Sequence, residues 1–180
     1  MTSALSSPFD RPVTHHPSRL ADLVRRYAAD PDSWPMAPRF DPSERWYGRI
    51  ATEPDHEAWL LTWLPGQGTE LHDHGGSAGA FTVVRGEITE QTVTPSGITA
   101  YRGYGAGPAK VPSPGRDASR ESAPSVRGFG PRHVHRITNL GDAPAVSIHV
   151  YAPAITTMTE YQVDDTGLRP IETRRAGEDW

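Results

Sequence analysis

The sequence contains no cysteine among its 180 residues. Disulfide bonds, thiolate-bound zinc, iron–sulfur clusters and cysteine nucleophiles are therefore all excluded. A metal ion, if there is one, must be held by histidine, carboxylate or backbone oxygen.

The sequence also lacks long apolar runs, and none approaches the roughly 20 residues of a membrane-spanning helix. The first residues, MTSALSSPFDRPV, show no cationic segment followed by an apolar one, so we expect no secretory signal. The net charge of −4 gives no indication of a nucleic-acid or membrane partner. These absences favour a cytoplasmic protein.

One amphipathic helix is predicted near the start of the chain. Leu20, Leu23, Val24 and Tyr27 follow helical spacing, and Ser18 is a candidate N-cap for a helix over residues 18–29. We expect this helix to pack on the body of the protein. The length predicts one domain overall, with a tail and this helix over residues 1–40 and the main body over residues 41–180.

After Pro42 the sequence changes to short β-type runs separated by turn sequences such as PGQG, PSG and DDTG. Nine strands are predicted: RWYGRIAT, EAWLLTWL, AFTVVRG, EITEQTVT, ITAYRGYG, HVHRITN, AVSIHVYA, TMTEYQV and LRPIETR. Such a series is typical of an all-β barrel or jelly roll. The Pro/Gly/Ser-rich residues 105–130 are predicted to form a long loop lining a site.

The stretch LHDHGGSAGAF places His72 and His74 one residue apart. In a strand both side chains would project to one face, where two imidazoles could chelate one ion. An isolated pair of this kind is more often a pair of surface or hydrogen-bonded histidines. Here, however, Gly66 precedes and Gly86 follows the pair at spacings that resemble the first motif of the cupin barrels.

A second histidine motif lies downstream in HVHRITN, where His135 is followed after three residues by Asn139. This resembles the end of the second cupin motif, although the preceding GFGPRHVH departs from its spacing. His133 is a rival ligand on the same strand face. We favour His135, because it alone has the spacing to Asn139.

The acidic ligand of the first cupin motif is absent, since Gly79 occupies its place. A carboxylate would cancel one of the two positive charges of a divalent ion, whereas three neutral imidazoles cancel neither. A more cationic centre favours an anionic substrate. The ligand type alone leaves Fe, Zn, Cu and Ni all possible.

The stretch AVSIHVY alternates apolar residues with Ser147, His149 and Tyr151. By the period of a strand, the three polar side chains face the same way and could form a hydrogen-bonded relay with the phenol at the metal end. Taken alone, an edge strand with a solvated polar face is the slightly better interpretation. Beside a candidate metal site, we favour the relay.

Together, HDHGGSAGAF, HRITN and AVSIHVYAP resemble the cysteine dioxygenase type I family over roughly residues 45–160. The resemblance implies an all-β cupin jelly-roll barrel with a short N-terminal helix, so that residues 41–180 would be a cupin thiol dioxygenase domain. It further implies one Fe(II) per chain held by His72, His74 and His135, with Ser147, His149 and Tyr151 as the relay. Some members have a cysteine at the position of Gly79, cross-linked to the tyrosine, and this chain cannot form that bond.

The family holds the substrate carboxylate with an arginine on an early strand, and WYGRI resembles that segment. This implies Arg49 as the clamp, with Tyr47 on the same strand face, although a surface position is the commoner fate of an arginine. Relatives with glutamine there act on 3-mercaptopropionate, so Arg49 favours L-cysteine, oxidised by O2 to cysteine sulfinate. The alternatives are dioxygenation of 3-mercaptopropionate or another small thiol, a non-catalytic metal- or ligand-binding cupin, and a different metal-dependent cupin. We expect a monomer.

Overall fold

The computed structural model describes residues 17–94, 97–104, 125–165 and 167–175. They form helix α1 (Pro17–Ala29), a short 3-10 turn (Pro31–Ser33) and eleven strands. The strands are β1 (Tyr47–Glu53), β2 (His56–Trp63), β3 (Leu71–His72), β4 (Ala78–Arg85), β5 (Glu87–Thr94), β6 (Gly97–Tyr104), β7 (Val126–Phe129), β8 (His135–Thr138), β9 (Ala145–Ala152), β10 (Thr157–Asp164) and β11 (Gly167–Arg175).

The strands form two antiparallel sheets. The first has the order β1-β2-β9-β4-β7, and the second has the order β11-β10-β3-β8-β5-β6. A core of side chains from both sheets includes Trp63, Phe81, Ile88 and Ile137, so the sheets face each other across an apolar interior. The prediction of an all-β barrel with one short N-terminal helix is confirmed.

Helix α1 covers the outer face of the first sheet. Leu20 and Val24 are buried in a second core with Leu60 and Ile148, which explains the apolar stripe seen in the sequence. The helix begins at Pro17 in the structure, so Ser18 lies in its first turn rather than at the N-cap. Proline suits the first turn, because the N–H that it lacks has no partner within the helix.

Strand β9 lies at the centre of the first sheet, and all eight of its residues are buried. The apolar residues Val146, Ile148 and Val150 pack into the core beneath the helix. By the alternation of a strand, Ser147, His149 and Tyr151 therefore face the interior between the sheets. No helix among the described residues is long and apolar enough to span a membrane.

Two strands were not anticipated from the sequence. Strand β7 lies within the stretch that we expected to be a loop, and it pairs with β4; the preceding residues 105–124 of that stretch lie outside the described residues. Strand β3 has only two residues. Both are too short to show a period, and each is stabilised by its partner strands rather than by local preference.

Candidate metal centre

Three histidine side chains meet in the interior of the barrel. The ring centroids of His72 and His74 are 5.0 Å apart, those of His72 and His135 are 4.8 Å apart, and those of His74 and His135 are 5.0 Å apart. One nitrogen from each ring lies within 4.8 Å of the others, and all three residues are buried. This spacing allows the three rings to share one ion.

Local structure brings the three rings together from two neighbouring strands. His72 pairs directly with His135 across β3 and β8, whereas His74 lies just beyond the end of β3. A turn follows at once, where Gly75 has φ +57° and a Cβ built on it would lie 2.5 Å from the carbonyl oxygen of Thr157. Glycine at this position therefore lets the chain turn where His74 is directed inward.

The hydrogen bonds of the three rings leave nitrogens available for a metal. His72 donates from Nδ1 to the carbonyl oxygen of Glu70 at 2.8 Å. His135 Nε2 and both ring nitrogens of His74 are buried without a hydrogen-bond partner among the described residues. Buried nitrogens without partners are costly in a folded protein, and a bound divalent metal would satisfy Nε2 of His135 and one of the two nitrogens of His74.

The pKa values of these rings favour neutral, metal-binding imidazoles. Burial, and after it the neighbouring His135, lower the pKa of His72 to about 3. Burial likewise lowers the pKa of His74 and of His135. All three rings are therefore uncharged at neutral pH and can offer a lone pair.

A buried carboxylate lies behind His135. Oε1 of Glu90 accepts hydrogen bonds from Nδ1 of His135 and from Nε2 of His133, each at 2.8 Å, and Oε2 accepts one from Nε of Arg127 at 2.8 Å. Burial raises the pKa of Glu90, but the hydrogen bonds from the two histidines outweigh it and hold the pKa below its usual range. Glu90 is therefore ionised and fixes the proton of His135 on Nδ1, leaving Nε2 for the metal.

Glu90, His133 and His135 form a second group with suitable ligand atoms. In this group Oε1 of Glu90 already accepts hydrogen bonds from Nε2 of His133 and Nδ1 of His135. By contrast, Nε2 of His135 and both ring nitrogens of His74, in the first group, have no partner among the described residues. His133, the rival ligand in the sequence, thus contacts Glu90 and lies outside the three-histidine group. Asn139 donates from Nδ2 to the carbonyl oxygens of Trp63 and Ala143. The asparagine of the motif therefore stabilises a loop through hydrogen bonds to its backbone.

The three polar residues of β9 form a hydrogen-bonded chain. Nε1 of Trp63 donates to Oγ of Ser147 at 2.9 Å, and we infer that the Ser147 hydroxyl donates in turn to Nε2 of His149 at 2.9 Å. His149 is neutral, because burial holds its pKa well below the usual value. Its one proton is then on Nδ1, which lies 3.3 Å from the Tyr151 hydroxyl. Tyr151 accepts from His149 and keeps its own O–H for another acceptor.

A cavity of about 580 Å³ opens beside these groups, with His72, His135, His149 and Tyr151 in its wall. Its cationic side chain is Arg45, which lies over the rings of Tyr47 and Trp63 at 5.3 and 5.0 Å. No carboxylate of the described residues forms an ion pair with Arg45. The guanidinium is therefore available to an anion in the cavity.

Tyr47 lines this cavity, but Arg49 does not. The Arg49 side chain is 51% exposed, lies 3.5 Å from Glu57 and stacks over Trp59 at 5.1 Å. The cavity is lined by residues 44–47, at and just before the start of β1, whereas Arg49 lies further along the strand. The predicted strand RWYGRIAT puts Arg45 and Arg49 on one face, but its alternation does not show how far a cavity extends along that face. Glu90 had no comparable signal, since a single acid in a strand is normally solvent-exposed.

The fold has known counterparts. The TT1209 protein of Thermus thermophilus matches with a TM-score of 0.50 and 17% identity, over 65% of this chain and 90% of its own. A conserved Klebsiella pneumoniae protein with a double-stranded beta-helix domain matches at 0.47 and 19%, over 74% and 90%. The capsular polysaccharide assembling protein CapF of Staphylococcus aureus matches at 0.49 and 20%, over 65% and 30%. The likeness to the Thermus protein indicates a shared fold.

A family model for cysteine dioxygenase type I matches residues 14–164, which is most of the chain. A comparison with curated proteins finds no significant match. The family and the buried histidine cluster support a metal-dependent oxidoreductase of the cupin fold. The chain therefore belongs to the cysteine dioxygenase type I family.

Proposed function

We propose that this protein is an Fe(II)-dependent thiol dioxygenase that adds both atoms of O2 to the sulfur of a small anionic thiol. L-cysteine is the favoured substrate, and cysteine sulfinate is its product. The observation that carries the proposal is the meeting of three neutral imidazoles, with unsatisfied buried nitrogens, at a cavity whose arginine has no ion pair among the described residues. We also propose that residues 41–180 form the enzymatic domain, in one domain with the helix of residues 1–40, and that the protein is a monomer.

In this proposal His72, His74 and His135 hold the iron. Bound Fe(II) would activate O2 and favour the thiolate form of the substrate. The residue types fit, since imidazole is a good ligand for Fe(II). Glu90 keeps His135 in the required tautomer by accepting its Nδ1 proton.

Arg45 is our candidate for holding the substrate carboxylate. The guanidinium presents a planar fork of donors that matches a carboxylate, and its packing on Tyr47 and Trp63 limits its motion. Burial lowers the pKa of Arg45, while the nearby Tyr151 and Tyr47 phenols raise it. Because the pKa of an arginine normally lies far above neutral pH, the side chain stays charged, and a substrate anion would compensate its desolvation.

Tyr151 is our candidate hydrogen-bond donor to the reacting groups. Burial raises the pKa of Tyr151, so its hydroxyl keeps its proton at all physiological pH values. The direction of the chain from Trp63 through Ser147 and His149 leaves that proton pointing away from His149. Tyr151 can thus donate to an oxygen of the substrate carboxylate or of the product.

The test is oxygen uptake by iron-loaded protein with L-cysteine, with 3-mercaptopropionate and with cysteamine, which has no carboxylate. We expect turnover with L-cysteine, weaker turnover with 3-mercaptopropionate and very little with cysteamine. A higher catalytic efficiency with 3-mercaptopropionate would favour the alternative substrate. Stoichiometric metal without oxygen uptake on any thiol would favour a non-catalytic metal-binding cupin.

A further inference from the structure

Phe129 lies between two histidine rings. Its ring stacks on His74 with centroids 5.1 Å apart and planes at 24°, and on His133 at 4.6 Å and 20°. It also lies 5.2 Å from the ring of His135. The side chain is almost fully buried at the end of β7.

His74 depends on such ring contacts more than the other two histidines do. His72 and His135 are each oriented through Nδ1, by a carbonyl oxygen and by Glu90. Neither nitrogen of His74 has a hydrogen-bond partner among the described residues. Its ring is instead bounded by Phe129 and by Tyr151, whose centroid is 4.8 Å away.

Gly79 makes room for Phe129. Gly79 pairs with Phe129 on one side and with Tyr151 on the other, in the middle of three adjacent strands. A Cβ built on Gly79 would lie 2.6 Å from Cε2 of Phe129 and 3.0 Å from Cδ1 of Tyr151. The Phe129 ring therefore fills the space that any side chain at position 79 would need.

We infer that Phe129 is a positioning residue, which orients His74 for metal binding by stacking and occupies the place of a side chain at position 79. This inference rests on the proposed metal site. An apolar ring restrains the imidazole without donating to or accepting from its nitrogens, so both remain free of competing hydrogen bonds. It also keeps an acidic group out of the ligand set, which leaves the centre with its full positive charge for an anionic substrate.

The test measures Co(II) and Zn(II) affinity of Phe129→Leu, with thermal unfolding of the metal-free protein as the check on folding. Leucine keeps the apolar character but removes the flat ring. Phe81→Leu is the matched control, because Phe81 is also buried in the same core and stacks on His149, while its ring lies further from the proposed ligand His135, at 6.5 Å, than the ring of Phe129 does. We expect a loss of about tenfold or more in metal affinity for Phe129→Leu, a changed Co(II) absorption spectrum, and neither effect for Phe81→Leu.

The partnership with Gly79 is tested by a double-mutant cycle. Gly79→Ala alone should displace the Phe129 ring and lower metal affinity by about tenfold or more, whereas the same change in the Phe129→Leu background should cost less than about twofold. Equal effects of Gly79→Ala in both backgrounds, or equal metal affinities of Phe129→Leu and Phe81→Leu, would overturn the inference. A wild-type protein that binds neither metal would overturn the metal site and the inference together. Tight metal binding without thiol oxidation would overturn only the proposed activity. The metal affinities in the double-mutant cycle would still test the inference about Phe129.

Discussion

Nδ1 of His135 lies 2.8 Å from Oε1 of Glu90, and the carboxylate is completely buried. The chain has no acid at position 79, yet it places one directly behind a candidate metal-binding histidine. Arg127 and His133 donate two further hydrogen bonds to this carboxylate. The acidic group thus acts on the centre through an imidazole and does not compete for a ligand position.

Replacing Glu90 with glutamine should weaken metal binding. The amide is uncharged and one of its two polar atoms is a donor, so it cannot accept from both histidines and Arg127 at once. We expect metal affinity to fall by about 10- to 100-fold, measured by competition with a chelator. Glu87→Gln, on the same strand but the opposite face, is the control. Equal affinity of the two variants would show that Glu90 does not position His135.

Substitution of Arg45 and substitution of Arg49 should affect substrate binding differently. If Arg45 holds the carboxylate, Arg45→Met should raise the KM for L-cysteine by about 10- to 100-fold, the equivalent of a charge-assisted hydrogen-bond pair. Arg49→Met should leave KM within about twofold, because the Arg49 side chain is half exposed and lies outside the cavity wall. The reverse result would restore the assignment to Arg49. Steady-state oxygen uptake measures both variants.

The direction of the relay is tested by Tyr151→Phe and Trp63→Phe. Removing the Tyr151 hydroxyl should lower kcat by about 100-fold or more, without changing metal affinity, since the phenol belongs to no candidate ligand group. Trp63→Phe removes the N–H that donates to Ser147, so the direction of the hydrogen bonds from Ser147 to Tyr151 is no longer favoured. We expect kcat to fall, but less than in Tyr151→Phe. A drop in metal affinity that accounts for the whole loss in kcat would contradict the relay.

The metal-free protein should lose stability as the pH falls. The pKa values of His72, His74, His135 and His149 are lowered in the folded state, that of His72 to about 3. In the unfolded chain they are about 6.5, so the unfolded state takes up more protons below that pH. Stability is therefore fully present above about pH 6.5 and falls below it, by up to about 1.4 kcal/mol per pH unit for each histidine.

Urea denaturation of the metal-free protein at a series of pH values measures this slope. His149→Phe should make the slope shallower, since it removes one buried imidazole. A free energy of unfolding that is constant or rises as the pH falls through this window would contradict the neutral state of the buried rings.

The fold was predictable because its strands are amphipathic and its turns carry glycine and proline. The spacing of the candidate histidines and the alternation of β9 could be recognised in the sequence, since both patterns are local. Arg45, our candidate for the substrate carboxylate, was not predicted because alternation along a strand indicates a face but not how far a cavity extends along it. Glu90 was not predicted because its partner His135 is 45 positions away. Phe129 was not predicted because it lies on a strand too short to recognise and is 50 positions from Gly79. Contacts of that separation follow from sheet order, which the sequence alone does not reveal.

The most direct test of the proposed activity is turnover of L-cysteine by the iron-loaded protein under ¹⁸O2, followed by mass spectrometry of the product. We predict cysteine sulfinate with both oxygen atoms on sulfur carrying the label, and no such product from the His135→Ala variant. A wild-type product with label in one oxygen only, or no sulfinate at all from protein that has bound its iron, would contradict dioxygenation at this centre.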